Sequence, residues 1–119
     1  MENEREIEDL LRRQGFEVIY PEQLSFAEQV RLFSEASVLA GAGGSNMINC
    51  IFAPRGAQIL LFTQWHPKIN YYFFSHLAQL NGHCLEYVLG EVTRRHTFYY
   101  QNDFVVDLAK IEKALAALN

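Results

Sequence analysis

The sequence is poor in cysteine and in basic charge. Two cysteines among 119 residues exclude a secreted scaffold held by several disulfides. We expect Cys50 and Cys84, which both lie in apolar surroundings, to be reduced and buried. Ten Lys+Arg against 14 Asp+Glu give a net charge of -4, whereas nucleic-acid-binding domains normally present a basic face. No nucleic-acid partner is therefore expected.

Long apolar runs are also absent. No run reaches the roughly 18 residues of a membrane-spanning helix, and the N-terminus Met1–Glu4 is acidic where a signal peptide is basic. We expect no membrane span and a cytoplasmic location, with peripheral attachment to the inner membrane as the alternative. Because 50% of the residues are hydrophobic, residues 1–119 should form one domain with a core.

The spacing of apolar residues predicts helices that alternate with strands. In Ser25 and Glu28 the sequence has a capping box, which marks a helix start. The predicted helices cover 4–14, 25–36, 47–52, 67–80 and 105–118, and the predicted strands cover 16–20, 37–40, 57–62 and 84–89, with no clear period over 90–102. This alternation favours an α/β, Rossmann-like three-layer domain with a mostly parallel sheet of about four strands. A doubly wound unit usually opens with a strand rather than a helix, so we expect a fragment of a larger protein.

Acidic residues are missing from the middle of the chain. Residues 36–85 contain no Asp or Glu but hold Arg55 and Lys68, so their fixed charge is +2. This bias fits a site for an anionic ligand. It fits a buried sheet equally well, because buried strands are poor in acids.

A glycine turn follows the predicted strand 37–40. Gly41, Gly43 and Gly44 would allow close backbone approach and positive φ, while Ser45 and Asn46 could donate hydrogen bonds. A strand end that leads into a helix start is where open parallel sheets bind phosphates. The glycines could instead only shape the turn, with Ser45 or Asn46 as the N-cap. The turn lacks the third small residue and the later acid of a dinucleotide fingerprint, and no P-loop or Gly-x-Ser-x-Gly elbow occurs.

Two further groups of residues have side chains that could bind a metal or a partner. The histidines His66, His76 and His83 lack the spacing of metal ligands, so no metal site is expected. The four consecutive aromatics 71–74 must point in several directions around a helix. We expect most of them to be core, with a partner surface as the alternative.

Four stretches together resemble glycosyltransferase family 61, the group that includes capsular polysaccharide biosynthesis proteins of bacteria. The likeness runs over about residues 3–90. It rests on a Gly-Phe-Glu-Val start, a Ser-x-x-Glu-Gln helix start, the glycine turn, and an Asn-x-x-Phe-x-Pro-x-Gly run, which lie at 15–22, 24–30, 36–44 and 49–57.

The resemblance implies the C-terminal, donor-binding half of a two-domain GT-B transferase in surface polysaccharide assembly. A nucleotide diphosphate sugar would be the substrate, with no cofactor and no metal, and the missing N-terminal half would face the acceptor. The donor-binding residues it implies are Gly41, Gly43, Gly44, Ser45, Asn46 and Asn49, with Gln29 and Arg55 as second choices. No catalytic base is evident, so the chain alone should be inactive.

Two positions depart from the family pattern. The family turn usually reads His-Gly-Ala-Gly, and the position of that His is Gly43 here, while a common acidic residue is replaced by Leu61. Either Ser45 and Asn46 provide a different donor geometry, or the domain is a non-catalytic interaction module with a degenerate nucleotide site. In the second case the aromatic residues 71–74 would form the interface, and a homodimer is possible.

Overall fold

The computed structural model describes residues 1–118, with Ser45 and Asn46 described by their backbone alone. Within these residues lie four α-helices and four strands. The helices are α1 Glu4–Arg13, α2 Phe26–Ser34, α3 Tyr72–Asn81 and α4 Leu108–Ala116, and the strands are β1 Val38–Ala42, β2 Gln58–Gln64, β3 Cys84–Arg94 and β4 Asp103–Val105. Short 3-10 helices cover Pro21–Gln23, Ser45–Phe52 and Tyr99–Gln101.

The strands form one mixed sheet in the order β1-β2-β3-β4. β2 pairs in parallel with both β1 and β3, whereas β4 pairs antiparallel with β3. The α/β class and the number of strands are therefore confirmed, although β4 stands in place of the predicted strand 16–20, and the sheet is mixed where a mostly parallel, Rossmann-like sheet was expected. β4 reverses because the short connection after Arg94 leaves no room for a crossover helix, and a short connection allows only an antiparallel return.

The core lies on both faces of the sheet, because alternate residues of β2 point to opposite sides. On one face Leu60 and Phe62 pack with apolar residues of α1 and α4. On the other face Ile59 and Leu61 pack with Phe33 of α2 and with residues of the 45–52 helix. These four residues of β2 are all at most 3% exposed, as expected for a strand covered by helices on both sides.

Local sequence signals account for two of the observed helix ends. The Ser25 hydroxyl accepts a hydrogen bond from the Glu28 amide at the start of α2, which confirms the predicted cap. α3 ends at Asn81, one residue beyond the predicted end, and its C-cap Gly82 has a left-handed φ of 71°, a conformation that glycine adopts without strain.

Other expectations were wrong. Residues 16–20 form no strand, because no neighbouring strand is present to hydrogen-bond with them. α3 starts five residues later than predicted, at Tyr72 rather than 67, after a turn in which the Asn70 side chain accepts from the Tyr72 amide. β3 runs on to Arg94, and β4 was not predicted at all. Cys84 is exposed, although Cys50 is buried as expected and both are free thiols.

Candidate functional site at the carboxyl edge of the sheet

The glycine turn lies at the carboxyl edge, where the parallel strands β1 and β2 end. The Gly43 amide donates a 2.9 Å hydrogen bond to the Phe62 carbonyl, so the turn continues the direction of β1. Gly44 is fully extended, with φ 172° and ψ -175°. The predicted positive φ at this turn is wrong, because the chain leaves β1 extended and the positive-φ glycines are Gly15, Gly56 and Gly82.

Gly43 and Gly44 leave open space at this edge. Both are exposed. Among the atoms that the structure describes, a Cβ built on Gly44 would meet none within 4 Å, and one on Gly43 would meet Thr63 and the Phe62 carbonyl, at 3.8 to 4.0 Å. A ligand can therefore reach the backbone here. The side chains of Ser45 and Asn46 lie outside the described part of the chain.

Gly41 serves packing instead. A Cβ at Gly41 would lie 2.9 Å from the sulfur of Met47. Met47 belongs to the 45–52 helix, and its side chain is buried in the core. The missing side chain of Gly41 thus lets that helix lie close to β1.

The side chains of Gln29 and Asn49 form a hydrogen bond with each other. Asn49 Nδ2 donates a 2.7 Å hydrogen bond to Gln29 Oε1. Gln29 Nε2 in turn donates to the carbonyls of Pro21, at 2.6 Å, and Leu24, at 3.2 Å. The amide of Gln29 is therefore fully engaged within the protein, and its geometry is that of a structural tie.

Arg55 lies at the opposite edge of the sheet. It precedes β2, while the glycine turn adjoins Phe62 and Thr63 near the end of β2. The length of β2 between them corresponds to roughly 16 Å at the usual rise per strand residue. The Arg55 guanidinium lies over Gly82, with Cζ 3.0 Å from a Cβ built there. The structure thus separates Arg55 from the turn.

A cluster of polar side chains that was not predicted from the sequence lies at the carboxyl edge, beside the glycine turn. Gln64, the last residue of β2, is 4% exposed. Its Nε2 donates to the Tyr99 carbonyl at 2.7 Å, and its Oε1 accepts from Asn102 Nδ2 at 3.1 Å. A polar pair, Thr63 and Gln64, at the end of an apolar strand was a usable signal, whereas Tyr99 and Asn102 come from the segment without a period.

His66 continues this cluster. Its ring stacks on Tyr99 at a centroid distance of 4.8 Å. Its Nδ1 accepts from the Lys68 amide, which places the proton of the neutral ring on Nε2. The Tyr71 hydroxyl accepts from the His66 amide and donates to the Gln64 carbonyl, both at 2.8 Å. Of the two cations in the acid-free segment, Lys68 lies beside this cluster and Arg55 does not.

The four consecutive aromatics divide evenly. Tyr71 and Phe74 face inward, while Tyr72 is 73% and Phe73 46% exposed. The expectation that most are core is therefore wrong, because the helix turns two of them to the surface. Within residues 1–118, no group of three His, Cys, Asp or Glu side chains is arranged to hold a metal ion.

No helix among the described residues is long and apolar enough to cross a membrane.

The described residues thus form an α/β fold with a glycine turn at the carboxyl edge of its parallel strands. The family model of glycosyltransferase 61 matches residues 1–60, half of the 119-residue chain, and the chain belongs to this family. The matched region contains α1, α2, β1 and the glycine turn. The resemblance inferred from the sequence is thereby confirmed.

The relatives include protein O-linked-mannose beta-1,4-N-acetylglucosaminyltransferase 2 of several animals. The human and dog proteins are each 38% identical over 68 residues, which is 56% of this chain and 12% of theirs. The Xenopus tropicalis protein is 35% identical over 83 residues, 68% of this chain and 14% of its own. The chain thus spans about an eighth of the length of these relatives. No solved structure is significantly similar.

Proposed function

We propose that the chain supplies the donor-binding part of a glycosyltransferase and that the nucleotide diphosphate sugar binds at the glycine turn. The observation that carries this proposal is the open backbone of Gly43 and Gly44 at the carboxyl edge of β1, in a chain of glycosyltransferase family 61. Ligands of open parallel sheets bind at this edge. The domain would then be the C-terminal, Rossmann-like half of a GT-B enzyme.

Backbone amides after Gly43 would stabilise the diphosphate. In transfer, the bond from the anomeric carbon to the phosphate oxygen breaks, and negative charge develops on the departing nucleotide. Amides at the start of the 45–52 helix carry partial positive charge that opposes this development. Because this helix is of the 3-10 type and short, we assign most of the effect to individual amides and not to a long helix dipole.

The acceptor is proposed to be a hydroxyl of a saccharide. The family resemblance favours a capsular or other surface polysaccharide, and the animal relatives carry O-linked mannose in their name. Both are sugar hydroxyls, which need a general base. We place that base on a part of the enzyme outside residues 1–119, so the isolated chain should transfer no sugar.

Binding should be tested by calorimetric titration of UDP, GDP, CMP and ADP, each alone and as its sugar conjugate. UDP-N-acetylglucosamine heads the panel because of the relatives' name. Gly44 offers a matched pair of variants, since its extended φ of 172° suits any residue and its Cβ position is empty. Gly44→Asp places a negative charge beside the diphosphate, whereas Gly44→Asn has nearly the same shape without that charge.

We expect one nucleotide to bind the native chain and Gly44→Asp to weaken it at least tenfold more than Gly44→Asn does, since a like charge near the phosphates opposes binding. Equal effects of the two variants would place the ligand elsewhere. Binding of no nucleotide by the well-folded chain would favour the second candidate.

The second candidate is a non-catalytic interaction module. Exposure of Tyr72 and Phe73 on α3 favours it, because large exposed aromatics often mark contact surfaces. It requires that the chain ignore nucleotides. It also requires that Tyr72→Ser with Phe73→Ser abolish any self-association seen by light scattering.

A further inference from the structure

Among the described residues, no strand pairs with the outer edge of β1, whose main-chain groups on that side have no hydrogen-bond partner there. The Ser37 carbonyl accepts from Gln58, and the Gly43 amide donates to Phe62, so these two residues point toward β2. Because main-chain groups of a strand alternate sides with a period of two, Val38, Ala40 and Ala42 point away from the sheet. β1 is the terminal strand of the order β1-β2-β3-β4.

Residues 16–20 lie on the far side of a groove from this edge. The groove has a volume of about 930 Å³ and is lined by residues 16–20, by β1, and by parts of α1 and α2. Among residues 1–118, no main-chain hydrogen bond joins residues 16–20 to β1. We call this space the edge groove.

Residues 16–20 nevertheless distribute their side chains as a strand of this sheet would. Phe16 packs on the face that holds Leu60 and Phe62. Ile19 packs on the opposite face, with Ile59 and Leu61. Phe16 and Ile19 are an odd number of residues apart and lie on opposite faces, as they would in a strand that occupies the sheet layer. What residues 16–20 lack is a neighbouring strand with which to form main-chain hydrogen bonds.

We propose that the edge groove receives a β-strand from outside these 119 residues, which runs parallel to β1 and pairs with it on one side and with residues 16–20 on the other. α1 begins at the carboxyl edge, where Glu2 and Asn3 hydrogen-bond to Phe104 and Val106. A strand parallel to β1 ends at that same edge and can continue directly into α1. Strand, α1 and residues 16–20 then form one parallel βαβ unit.

The helices that line the edge groove determine which residues a strand bound there should contain. α1 covers one face of the groove and α2 the other, so a strand there is buried on both sides and should be a continuous Val- or Ile-rich run. α1 and α2 pack on opposite faces, so the chain order reverses between this strand and β1. Ligands bind at such a switch point, and it lies at the glycine turn.

The test extends the 119-residue chain at its N-terminus with Val-Ile-Val-Val-Val and a Gly-Ser link of about four residues, a usual length for strand-to-helix connections. A control extension of equal length replaces the apolar run with Ser and Asp. Amide hydrogen exchange at Val38 and Ala42 is the readout, and light scattering reports the oligomeric state. The result does not depend on nucleotide binding, so it stands or falls apart from the proposed function.

The apolar extension should slow exchange at Val38 and Ala42 by roughly a hundredfold or more relative to the control extension, as for newly paired amides, in a monomer. In the extended chain, Ala40→Pro should remove this protection and leave that of β2 intact, because proline is tolerated where the N–H points away from the sheet. Equal exchange in the two extensions would overturn the proposal. Protection found only in dimers would also overturn it and assign the edge to a second copy of the chain.

Discussion

Asn49 of the 45–52 helix donates its side-chain amide to Gln29 of α2 across 2.7 Å. This contact joins two residues that the family resemblance placed at the donor site. Their amides are directed at each other and at the loop 21–24. They tie the helix that follows the glycine turn to α2 and to that loop.

Gln29→Ala should therefore lower stability. It removes the partners of Asn49 and of the Pro21 and Leu24 carbonyls, and we expect the free energy of unfolding to fall by about 1–3 kcal/mol. Urea unfolding measures this, with Gln23→Ala at an exposed position as the control. A loss no larger than that of the control would contradict a structural role.

Gly90→Ala should be strongly destabilising. A Cβ at Gly90 would collide with the Val105 carbonyl and lie 3.0 Å from the Phe104 ring, so β4 would have to move away from β3. We expect a loss of about 1–3 kcal/mol. Gly43→Ala is the control, because its Cβ would make only ordinary contacts and should change stability by less than about 0.5 kcal/mol. Similar melting temperatures for the two variants would be inconsistent with this packing.

Gly43→His would place an imidazole ring at the glycine turn. The site has room for a Cβ and is exposed, so the fold should tolerate the ring. If the donor site is retained, the added imidazole donor should tighten binding of a nucleoside diphosphate about tenfold, the usual effect of one hydrogen bond to a charged group. Titration beside Gly43→Ala checks this. An unchanged dissociation constant would show that the bound ligand does not pass position 43.

The two thiols should differ in reactivity. Cys84 is exposed and Cys50 is buried, and burial raises the pKa of the Cys50 thiol to about 11. Since the thiolate is the reactive form, iodoacetamide at pH 8 should label Cys84 in the folded chain and Cys50 only after unfolding. Mass spectrometry of the peptides decides this. Rapid labelling of Cys50 in the native chain would refute its burial.

The same shift predicts a dependence of stability on alkaline pH. The pKa of Cys50 rises from 9.0 to about 11 on folding, so the unfolded chain loses this proton first. The contribution is fully present below pH 9 and is lost as the pH rises to 11. Cys50→Ala should lose less stability over that interval in urea unfolding. Tyr87, whose pKa burial also raises, is present in both chains, so the difference between them isolates Cys50.

The sequence by itself determined those features that depend on neighbouring residues. The apolar run 57–62 specified a strand buried on both faces, and Ser25 with Glu28 specified the start of α2. The order of motifs specified the glycosyltransferase 61 family. The position of Gly43 and Gly44 after β1 also followed, because a strand run and a glycine turn are adjacent in the chain.

Only the tertiary structure decided what depends on distant residues. Residues 16–20 have a strand pattern but no strand neighbour among the described residues, and the missing side chain of Gly90 lets β4 lie close to β3. Gln64 meets Tyr99 and Asn102 across more than thirty residues of sequence, and Arg55 lies at the wrong edge for the turn. Pairing and burial are set by long-range contacts, which residue type and spacing leave open. The sequence alone therefore specified most of the elements and the family, and the fold decided which strands pair and which side chains share an edge.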